Sequence, residues 1–368
     1  MNVHIYYGGL SGFQAVIKDI EDYMPLVDLV LKDDAKHRDI KVDVEGNRVR
    51  KEEVIENYQN VIAFSEDYSS FTESFIESFI NFLFRYNIDD LYLQNPPNSI
   101  TKRLKQYNSV KCDVTERKYQ TLGMDELQKL KEGFPTAVIG QERAQNQILS
   151  ALYGVAKGRY KKPCVLLFYG STGIGKTETA KFIADTLEEK LFRKQFSMLH
   201  SEAFSSYIFG GKHNENSFAR ELLERESNVV LLDEFDKPHP VFHSAFYQLF
   251  DEGIYEDKNY VVNMGSSIII CTSNFMSEKE IKSALGEPIY SRFDAIIKFE
   301  KLDQVAIDTI IKKEYSRQFD ELDADEQAVI EQSGIKEVIF GLVDKLDNAR
   351  QIRKVIREAI STILVKNI

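Results

Sequence analysis

The chain of 368 residues is poor in cysteine and proline and has no long apolar run. Its three cysteines, Cys112, Cys164 and Cys271, are far apart and lack the spacing of metal ligands. Two of them lie in apolar, strand-like segments, so we expect buried, reduced thiols and a cytoplasmic protein. No apolar run approaches the length that crosses a bilayer, and Asn2 and His4 interrupt the first residues. We therefore expect neither a membrane span nor a signal peptide.

Positive charge is also in deficit, with 47 lysines and arginines against 58 acidic residues and a net charge of −11. This balance argues against non-specific binding of nucleic acid or anionic membrane over the whole surface, and it leaves room for a local basic patch. With 43% hydrophobic residues and only 8 prolines, the composition is typical of a globular protein. The length accommodates about two domains.

The clearest chemical signal is a glycine-rich segment of the pattern G-x-x-x-x-G-K-T. It reads Gly170-Ser171-Thr172-Gly173-Ile174-Gly175-Lys176-Thr177. An apolar run precedes it and a helical pattern beginning at Glu178 follows it. A strand, a glycine turn and a helix start are typical of a nucleoside triphosphate site, because loop N–H groups and the helix dipole both face the phosphates. We expect Lys176 to reach the β- and γ-phosphates and the Thr177 hydroxyl to bind Mg²⁺.

Two further apolar runs end in polar side chains. The run from residue 229 to 232 is followed by Asp233 and Glu234, and the run from residue 267 ends at Asn274. Buried parallel strands place such residues at the sheet edge where α/β proteins bind ligands. We predict that Asp233 holds Mg²⁺ through water and that Glu234 polarises the attacking water. Asn274 either orients that water or serves only as a strand-end turn or helix cap.

The first 115 residues predict a separate α/β domain without a recognisable chemical motif. Ser11 is a candidate helix cap, and 45–47 (Glu-Gly-Asn) a candidate hairpin turn between alternating apolar residues. The segment 70–73 (Ser-Phe-Thr-Glu) has the form of a capping box. The helix that it opens carries a stripe of phenylalanines at positions 71, 75, 79 and 82. Helical spacing favours a core role for this stripe over a partner groove.

From about residue 135 onwards, six motifs in order resemble the AAA+ module of Clp-type protein unfoldases. They are 138–141 (Val-Ile-Gly-Gln), the glycine-rich loop, 231–240 (Leu-Leu-Asp-Glu-Phe-Asp-Lys-Pro-His-Pro), 272–274 (Thr-Ser-Asn), 290–294 (Tyr-Ser-Arg-Phe-Asp) and 348–354 (Asn-Ala-Arg-Gln-Ile-Arg-Lys). The resemblance implies a P-loop αβα sandwich over residues 135–302 and a small helical lid over 303–368. Residues 116–134 are then a linker after the domain 1–115.

The same resemblance implies a mechanism. ATP and Mg²⁺ would lie between neighbouring subunits of a ring, usually a homo-hexamer, with the segment Gly170–Glu178 and Val138 and Ile139 in the nucleotide site. Arg292 would act as an arginine finger on the next subunit's γ-phosphate. Arg350, with Arg353 as the alternative, would contact the phosphates in cis and couple hydrolysis to lid rotation.

Two departures from the family pattern bear on function. The region of the aromatic pore loop is shortened to 206–213 (Ser-Tyr-Ile-Phe-Gly-Gly-Lys-His), where Tyr207 or Phe209 either grips a polypeptide or belongs to the core. The segment between Asn274 and Arg292 is also short and lacks the apolar-glycine-apolar loop that docks the Clp peptidase. We therefore do not expect a proteolytic partner.

The leading hypothesis is an ATP-driven machine that remodels or unfolds a protein client chosen by the N-terminal domain. The alternative is an ATP-switched oligomeric scaffold or signalling ATPase, for example in a defence system, that threads no polypeptide. A motor on nucleic acid is a third hypothesis, disfavoured by the acidic charge and by the lack of a DNA-binding motif.

Overall fold

The computed structural model describes residues 1–38, 55–198 and 202–367. The candidate hairpin at 45–47 lies outside these residues. The strands are β1 (Asn2–Tyr7), β2 (Met24–Pro25), β3 (Asn57–Ala63), β4 (Asn87–Gln94), β5 (Lys111–Glu116), β6 (Cys164–Tyr169), β7 (Phe192–Gln195), β8 (Val229–Asp233), β9 (Ile254–Glu256), β10 (Val261–Asn263), β11 (Ile268–Ser273) and β12 (Ala295–Lys298).

The α-helices alternate with these strands and then continue alone to the end of the chain. They are α1 (Leu10–Ile17), α2 (Leu26–Arg38), α3 (Glu73–Leu83), α4 (Asn98–Leu104), α5 (Met124–Ala137), α6 (Glu142–Ala156), α7 (Lys176–Thr186), α8 (Glu202–Phe209), α9 (Phe218–Glu224), α10 (Tyr247–Glu252), α11 (Glu278–Leu285), α12 (Glu287–Tyr290), α13 (Gln304–Asp320), α14 (Ala324–Gln332), α15 (Ile335–Phe340) and α16 (Ala349–Lys366). Among the residues described, no helix combines the length and apolar character that a bilayer crossing requires.

The chain divides into two compact units, each built from three segments. The first unit comprises Met1–Tyr119, His200–Glu226 and Ile254–Asn263. The second comprises Gln120–Leu199, Ser227–Gly253 and Met264–Ile368. The segment after β7 and the hairpin β9–β10 therefore belong to the same unit as the N-terminal sheet.

The first unit contains a parallel sheet in the order β2-β3-β4-β1-β5. Its core includes the predicted phenylalanine stripe, because Phe71, just before α3, and Phe79 and Phe82 on α3 are buried and Phe75 is half-buried. The core interpretation of the stripe is thus confirmed.

Two predicted helix caps in the first unit are wrong. Thr72 caps α3 by accepting a hydrogen bond from the Phe75 N–H at 3.2 Å, while the Ser70 hydroxyl donates to a carbonyl in the preceding turn. Gly9 occupies the cap position of α1, and the Ser11 hydroxyl instead donates to Glu226 at 2.7 Å. In both cases a neighbouring residue with extended backbone begins the helix.

The second unit contains a parallel sheet in the order β12-β6-β11-β8-β7. Every residue of β6, β8 and β11 is buried, as expected for central parallel strands covered on both faces. Cys164 and Cys271 are free, buried thiols, as predicted, and burial raises the pKa of Cys164 to about 12.

Helices α13 to α16 form the C-terminal lid that the sequence predicts. Isoleucines spaced four residues apart along α13 and α16 are buried together in the core of this unit, namely Ile307, Ile311, Ile352, Ile356 and Ile360. The α/β fold with a helical C-terminal region and a separate N-terminal α/β region is therefore confirmed.

Candidate nucleotide-binding site

The glycine-rich loop joins β6 to α7 in a conformation that requires glycine. Gly170, Gly173 and Gly175 have φ angles of 130°, 73° and 112°, in the region that side chains disfavour. A Cβ on Gly170 would lie 2.5 Å from the Phe299 carbonyl oxygen. The loop therefore runs close to the neighbouring chain and ends at the N-terminus of α7, which favours bound anions.

Lys176 is buried at the start of α7 and is held by three oxygen acceptors. Its Nζ donates to the carbonyl oxygens of Gly170 and Ser171 at 2.6 and 2.8 Å, and to Asn274 Oδ1 at 3.2 Å. Burial lowers the pKa of Lys176 to about 8, against the opposing effect of Asp233. The structure thus brings Lys176 and Asn274, from separate sequence motifs, into direct contact.

Asp233 and Glu234 share one hydrogen-bonding partner at the carboxyl end of β8. The Thr272 hydroxyl donates to Asp233 Oδ1 at 2.5 Å and accepts from the Glu234 N–H at 2.9 Å. Glu234 has a φ of 55°, which is uncommon for a residue with a side chain and marks local strain. Its backbone therefore leaves the line of β8 directly after Asp233.

Strand β7 and the turn that follows it contribute three polar side chains that the sequence analysis missed. Arg193 forms an ion pair with Asp233, and Gln195 Nε2 donates to Glu234 Oε2 at 3.2 Å. A hydrogen bond from Ser197 is the largest cause that lowers the pKa of Glu234, so this carboxylate is ionised at neutral pH. No local motif marks these residues, because their role depends on the pairing of β7 with β8.

These groups surround a cavity of about 500 Å³. Of the predicted site residues, Val138, Ile139, Thr172, Gly173, Ile174, Gly175, Lys176, Thr177, Glu178, Asp233, Glu234, Asn274 and Arg350 line it. Gly170 and Ser171 lie behind this wall and hold Lys176 through their carbonyls. The apolar side chains of Leu302 and Ile310 also line the cavity.

The lid closes one side of the cavity through the start of α16. The Ala349 N–H donates to the Gly173 carbonyl at 2.9 Å, and Asn348 caps the helix. Arg350 follows directly and lines the cavity. Arg353 also lines it, but its guanidinium is 3.5 Å from Glu314, to which Arg317 donates two hydrogen bonds.

A buried glutamine fixes the other side. Gln141 Nε2 donates to the carbonyls of Ile174 and Glu300 at 3.2 and 2.9 Å, and Gln141 Oε1 accepts from the Glu300 N–H at 3.0 Å. This amide connects the start of α6 with the glycine-rich loop and the segment after β12. It holds the Val138-Ile139 wall of the cavity in place.

Residues 161–320 match the family model described as AAA domain (Cdc48 subfamily). The ClpB chaperone of Malacoplasma penetrans is 28% identical over 228 residues, which are 55% of this chain and 32% of that protein. The human mitochondrial disaggregase is 34% identical over 171 residues, 43% of this chain and 24% of the relative. The ClpL subunit of Staphylococcus aureus is 28% identical over 213 residues, 51% and 30% respectively.

Residues 161–320 therefore resemble the AAA+ module of Clp-type proteins. The chain spans about a quarter to a third of the length of these three relatives. The similarity therefore concerns the part of the chain that carries the glycine-rich loop, Asp233 and Glu234.

Arg292, the predicted finger of the AAA+ domain, does not line the cavity of its own chain. Its Nε donates to Asp251 Oδ2 at 2.8 Å, and its guanidinium lies 4.4 Å from the centre of the Tyr247 ring. It also donates to the Pro288 carbonyl oxygen. The Arg292 side chain is thus oriented by α10 and by α12.

Tyr207, one of the two candidate pore-loop aromatics, is a core residue of the first unit. It is 6% exposed, and its hydroxyl donates to Glu221 at 2.7 Å. The adjacent Ile208 carbonyl accepts from the Tyr255 hydroxyl at 2.6 Å. Phe209 is 42% exposed. Of the two roles considered for this segment, the core role therefore fits Tyr207, and Phe209 lies at the surface.

The residues around the cavity fit a magnesium nucleotide. Within the described part of the chain, no three His, Cys, Asp or Glu side chains come close enough to hold a metal ion by themselves. Mg²⁺ characteristically uses one or two protein oxygens together with substrate phosphates and water. The Thr177 hydroxyl and the Asp233 carboxylate, both on the cavity wall, provide that donor set.

Proposed function

We propose that this protein is an ATP-hydrolysing, Clp-like machine that remodels a protein client selected by its N-terminal domain. The observation that supports it most directly is the convergence of Lys176, Asp233, Glu234 and Arg350 on one cavity next to a glycine-rich helix start. The AAA+ match and the similarity to ClpB and the mitochondrial disaggregase support the same class of activity.

In this proposal the chain binds the triphosphate before it acts on water. Loop N–H groups and the Lys176 ammonium bind phosphate oxygens, and Arg350 binds them from the lid. The ionised Glu234 orients the attacking water and accepts its proton, while Asn274 fixes the water from the neighbouring strand. The Gln195 and Ser197 contacts hold Glu234 in one rotamer.

Thr177 and Asp233 would hold Mg²⁺, which would supply positive charge at the β- and γ-phosphate oxygens. We further propose a homo-hexamer in which Arg292 reaches the nucleotide of the adjacent subunit. Its absence from its own cavity and its fixed orientation on Asp251 support this role.

Steady-state hydrolysis and nucleotide binding test the proposal. We expect Lys176→Ala to lose nucleotide binding, and Glu234→Gln to bind ATP but hydrolyse it at least about a hundredfold more slowly. Lys181→Ala is a matched control, since Lys181 is an exposed lysine on the same helix. If Glu234→Gln turns over ATP at the wild-type rate, the assignment of the catalytic carboxylate is wrong.

A second candidate function is an ATP-switched scaffold that binds a partner without threading it. The burial of Tyr207 in the first unit supports this candidate, because that side chain is not available to grip a polypeptide. The exposed Phe209 decides between the two. Loss of ATP-dependent unfolding of a tagged client in Phe209→Ala favours threading, whereas stable, ATP-dependent capture of a partner by Glu234→Gln with no unfolding favours the scaffold.

A further inference from the structure

Both carboxylate oxygens of Asp233 already have strong partners. Oδ1 accepts the Thr272 hydroxyl, and Oδ2 accepts Arg193 Nη2 at 2.5 Å and Nε at 3.1 Å. The Asp233 side chain is 10% exposed, whereas that of Arg193 is 46% exposed. The guanidinium therefore covers the oxygen of Asp233 that Thr272 leaves available.

Strand pairing explains how Arg193 reaches this position. In the β7–β8 ladder, Arg193 is opposite Leu231 and Gln195 is opposite Asp233. Arg193 and Gln195 share one face of β7, because side chains two residues apart point the same way. Arg193 crosses diagonally to Asp233, and Gln195 contacts Glu234. Side chains of β7 thus form hydrogen bonds with both Asp233 and Glu234.

A guanidinium and a divalent cation compete for the same carboxylate oxygen. A dication bound at Asp233 Oδ2 would lie next to the positive charge of Arg193, and the two repel. The ion pair must therefore open, at a cost, before the metal binds. Arg193 is free to move without repacking the core, because nearly half of its side chain is exposed.

We propose that Arg193 occupies the metal-binding carboxylate of Asp233 and is displaced by the divalent cation, so that this arginine weakens and thereby sets metal affinity. The inference rests on the proposed function, in which Thr177 and Asp233 hold Mg²⁺. Arg193 lines the same cavity, so the nucleotide's phosphates provide an alternative partner for the displaced guanidinium. When the metal nucleotide binds, the ion pair of Arg193 with Asp233 is replaced by an ion pair of Arg193 with the phosphates.

Manganese binding measures the competition directly, without relying on hydrolysis. Mn²⁺ is titrated into the full-length protein saturated with a non-hydrolysable ATP analogue, and free Mn²⁺ is followed by electron paramagnetic resonance. We expect Arg193→Gln to bind Mn²⁺ roughly twofold to fivefold more tightly than the wild type, the range supported by loss of one partly exposed ion pair. Arg193→Lys, which keeps the charge but loses the fork, should fall between them.

Lys194→Gln removes the same charge from the next position on β7, which does not line the cavity, and should leave Mn²⁺ affinity unchanged. Asp233→Asn should bind Mn²⁺ more weakly than the wild type by at least tenfold in the same assay. An unchanged or weaker Mn²⁺ affinity in a folded Arg193→Gln protein overturns the inference, as does wild-type affinity in Asp233→Asn. Failure of the proposed function looks different, because the wild type would then bind no fluorescent ATP analogue at all.

Discussion

At the scale of single residues, Thr272 connects two carboxylates that have different tasks. Its one hydroxyl orients Asp233 by donating and fixes the Glu234 backbone by accepting. Because Thr272 is 1% exposed, water cannot replace either bond. Thr272 thus positions Asp233, the proposed metal ligand, relative to Glu234, the proposed base. In our mechanism Thr272 itself contacts neither the nucleotide nor the attacking water.

We expect Thr272→Val, which keeps the shape and removes the hydroxyl, to lower the free energy of unfolding by about 1–3 kcal/mol. The physical reason is that it leaves a buried carboxylate oxygen and a backbone N–H without partners. Hydrolysis should fall as Glu234 loses its fixed orientation. Urea denaturation and kcat measure the two effects, and Thr272→Ser should restore both. Wild-type stability and kcat in Thr272→Val would show that the shared hydroxyl is dispensable.

A second residue gives the protein a pH dependence. His243 is 2% exposed, and its Nε2 lies 2.9 Å from the Phe235 carbonyl oxygen. Burial is the largest cause that lowers the pKa of His243, although the Phe235 carbonyl and Asp236 oppose it. The unfolded chain therefore takes up a proton near pH 6.5, and the folded chain only at a lower pH.

Between the pKa of His243 in the folded chain and its pKa of about 6.5 in the unfolded chain, the unfolded state binds more protons. The free energy of unfolding should therefore decrease as the pH falls below about 6.5. We expect His243→Gln, whose amide can still donate to Phe235, to lose part of this dependence. Denaturant titrations at pH 7.5 and 5.5 give the comparison. An equal loss of stability on acidification in wild type and variant would exclude His243 as a source.

At the scale of elements, the glycine-rich loop and the start of α16 form one structure. Gly173 has a φ of 73°, and a Cβ there would lie 2.9 Å from Asn348 Oδ1. We expect Gly173→Ala to push the lid away from the loop and to weaken ATP binding by roughly tenfold or more, since the lid carries Arg350. Fluorescent-nucleotide titration measures the change.

Gly158→Ala is the matched control for that substitution. Gly158 has a similar φ of 63°, yet a Cβ there would meet no atom within 4 Å. In both variants an alanine must adopt a positive φ, which costs about 1 kcal/mol of folding free energy. The two variants therefore differ only in the contact of the new Cβ with the lid. Equal nucleotide affinity in the two proteins would contradict a role for the loop–lid contact.

Elements that depend on local sequence were predictable, and those that depend on strand neighbours were not. The strands β6, β8 and β11 follow from their apolar runs, and the loop follows from its glycines. Arg193 and Gln195 lie in no motif, and Thr272 lies in the motif 272–274 without any sign of its role. The contacts of all three exist only once β7, β8 and β11 lie side by side. The cap of α3 shifted from Ser70 to Thr72 because either hydroxyl suits a helix start, and local pattern does not rank them.

At the scale of the whole molecule, the same limitation applies to the segments around residues 200–226 and 254–263. The first segment includes the shortened pore-loop region, and the second is the hairpin β9–β10, for which the sequence analysis made no prediction; both belong to the first unit. Ser65 Oγ donates to Glu224 at 2.5 Å, and the Asn98 N–H donates to the Asn259 carbonyl at 2.8 Å. Contacts between residues so distant in sequence have no local signature. They show that the N-terminal fold is completed by segments from the AAA+ region.

Assembly is the last property for which the structure makes a sharp prediction. If Arg292 acts on the adjacent subunit, Arg292→Ala and Glu234→Gln should each be inactive alone yet complement one another. An equal mixture places an intact Glu234 beside an intact Arg292 at about a quarter of the head-to-tail interfaces, so up to about a quarter of wild-type hydrolysis should return. Mixing Arg292→Ala with the double variant Arg292→Ala/Glu234→Gln supplies no finger and should restore nothing. Full turnover by assembled Arg292→Ala, or no recovery in the first mixture, would refute action across the interface.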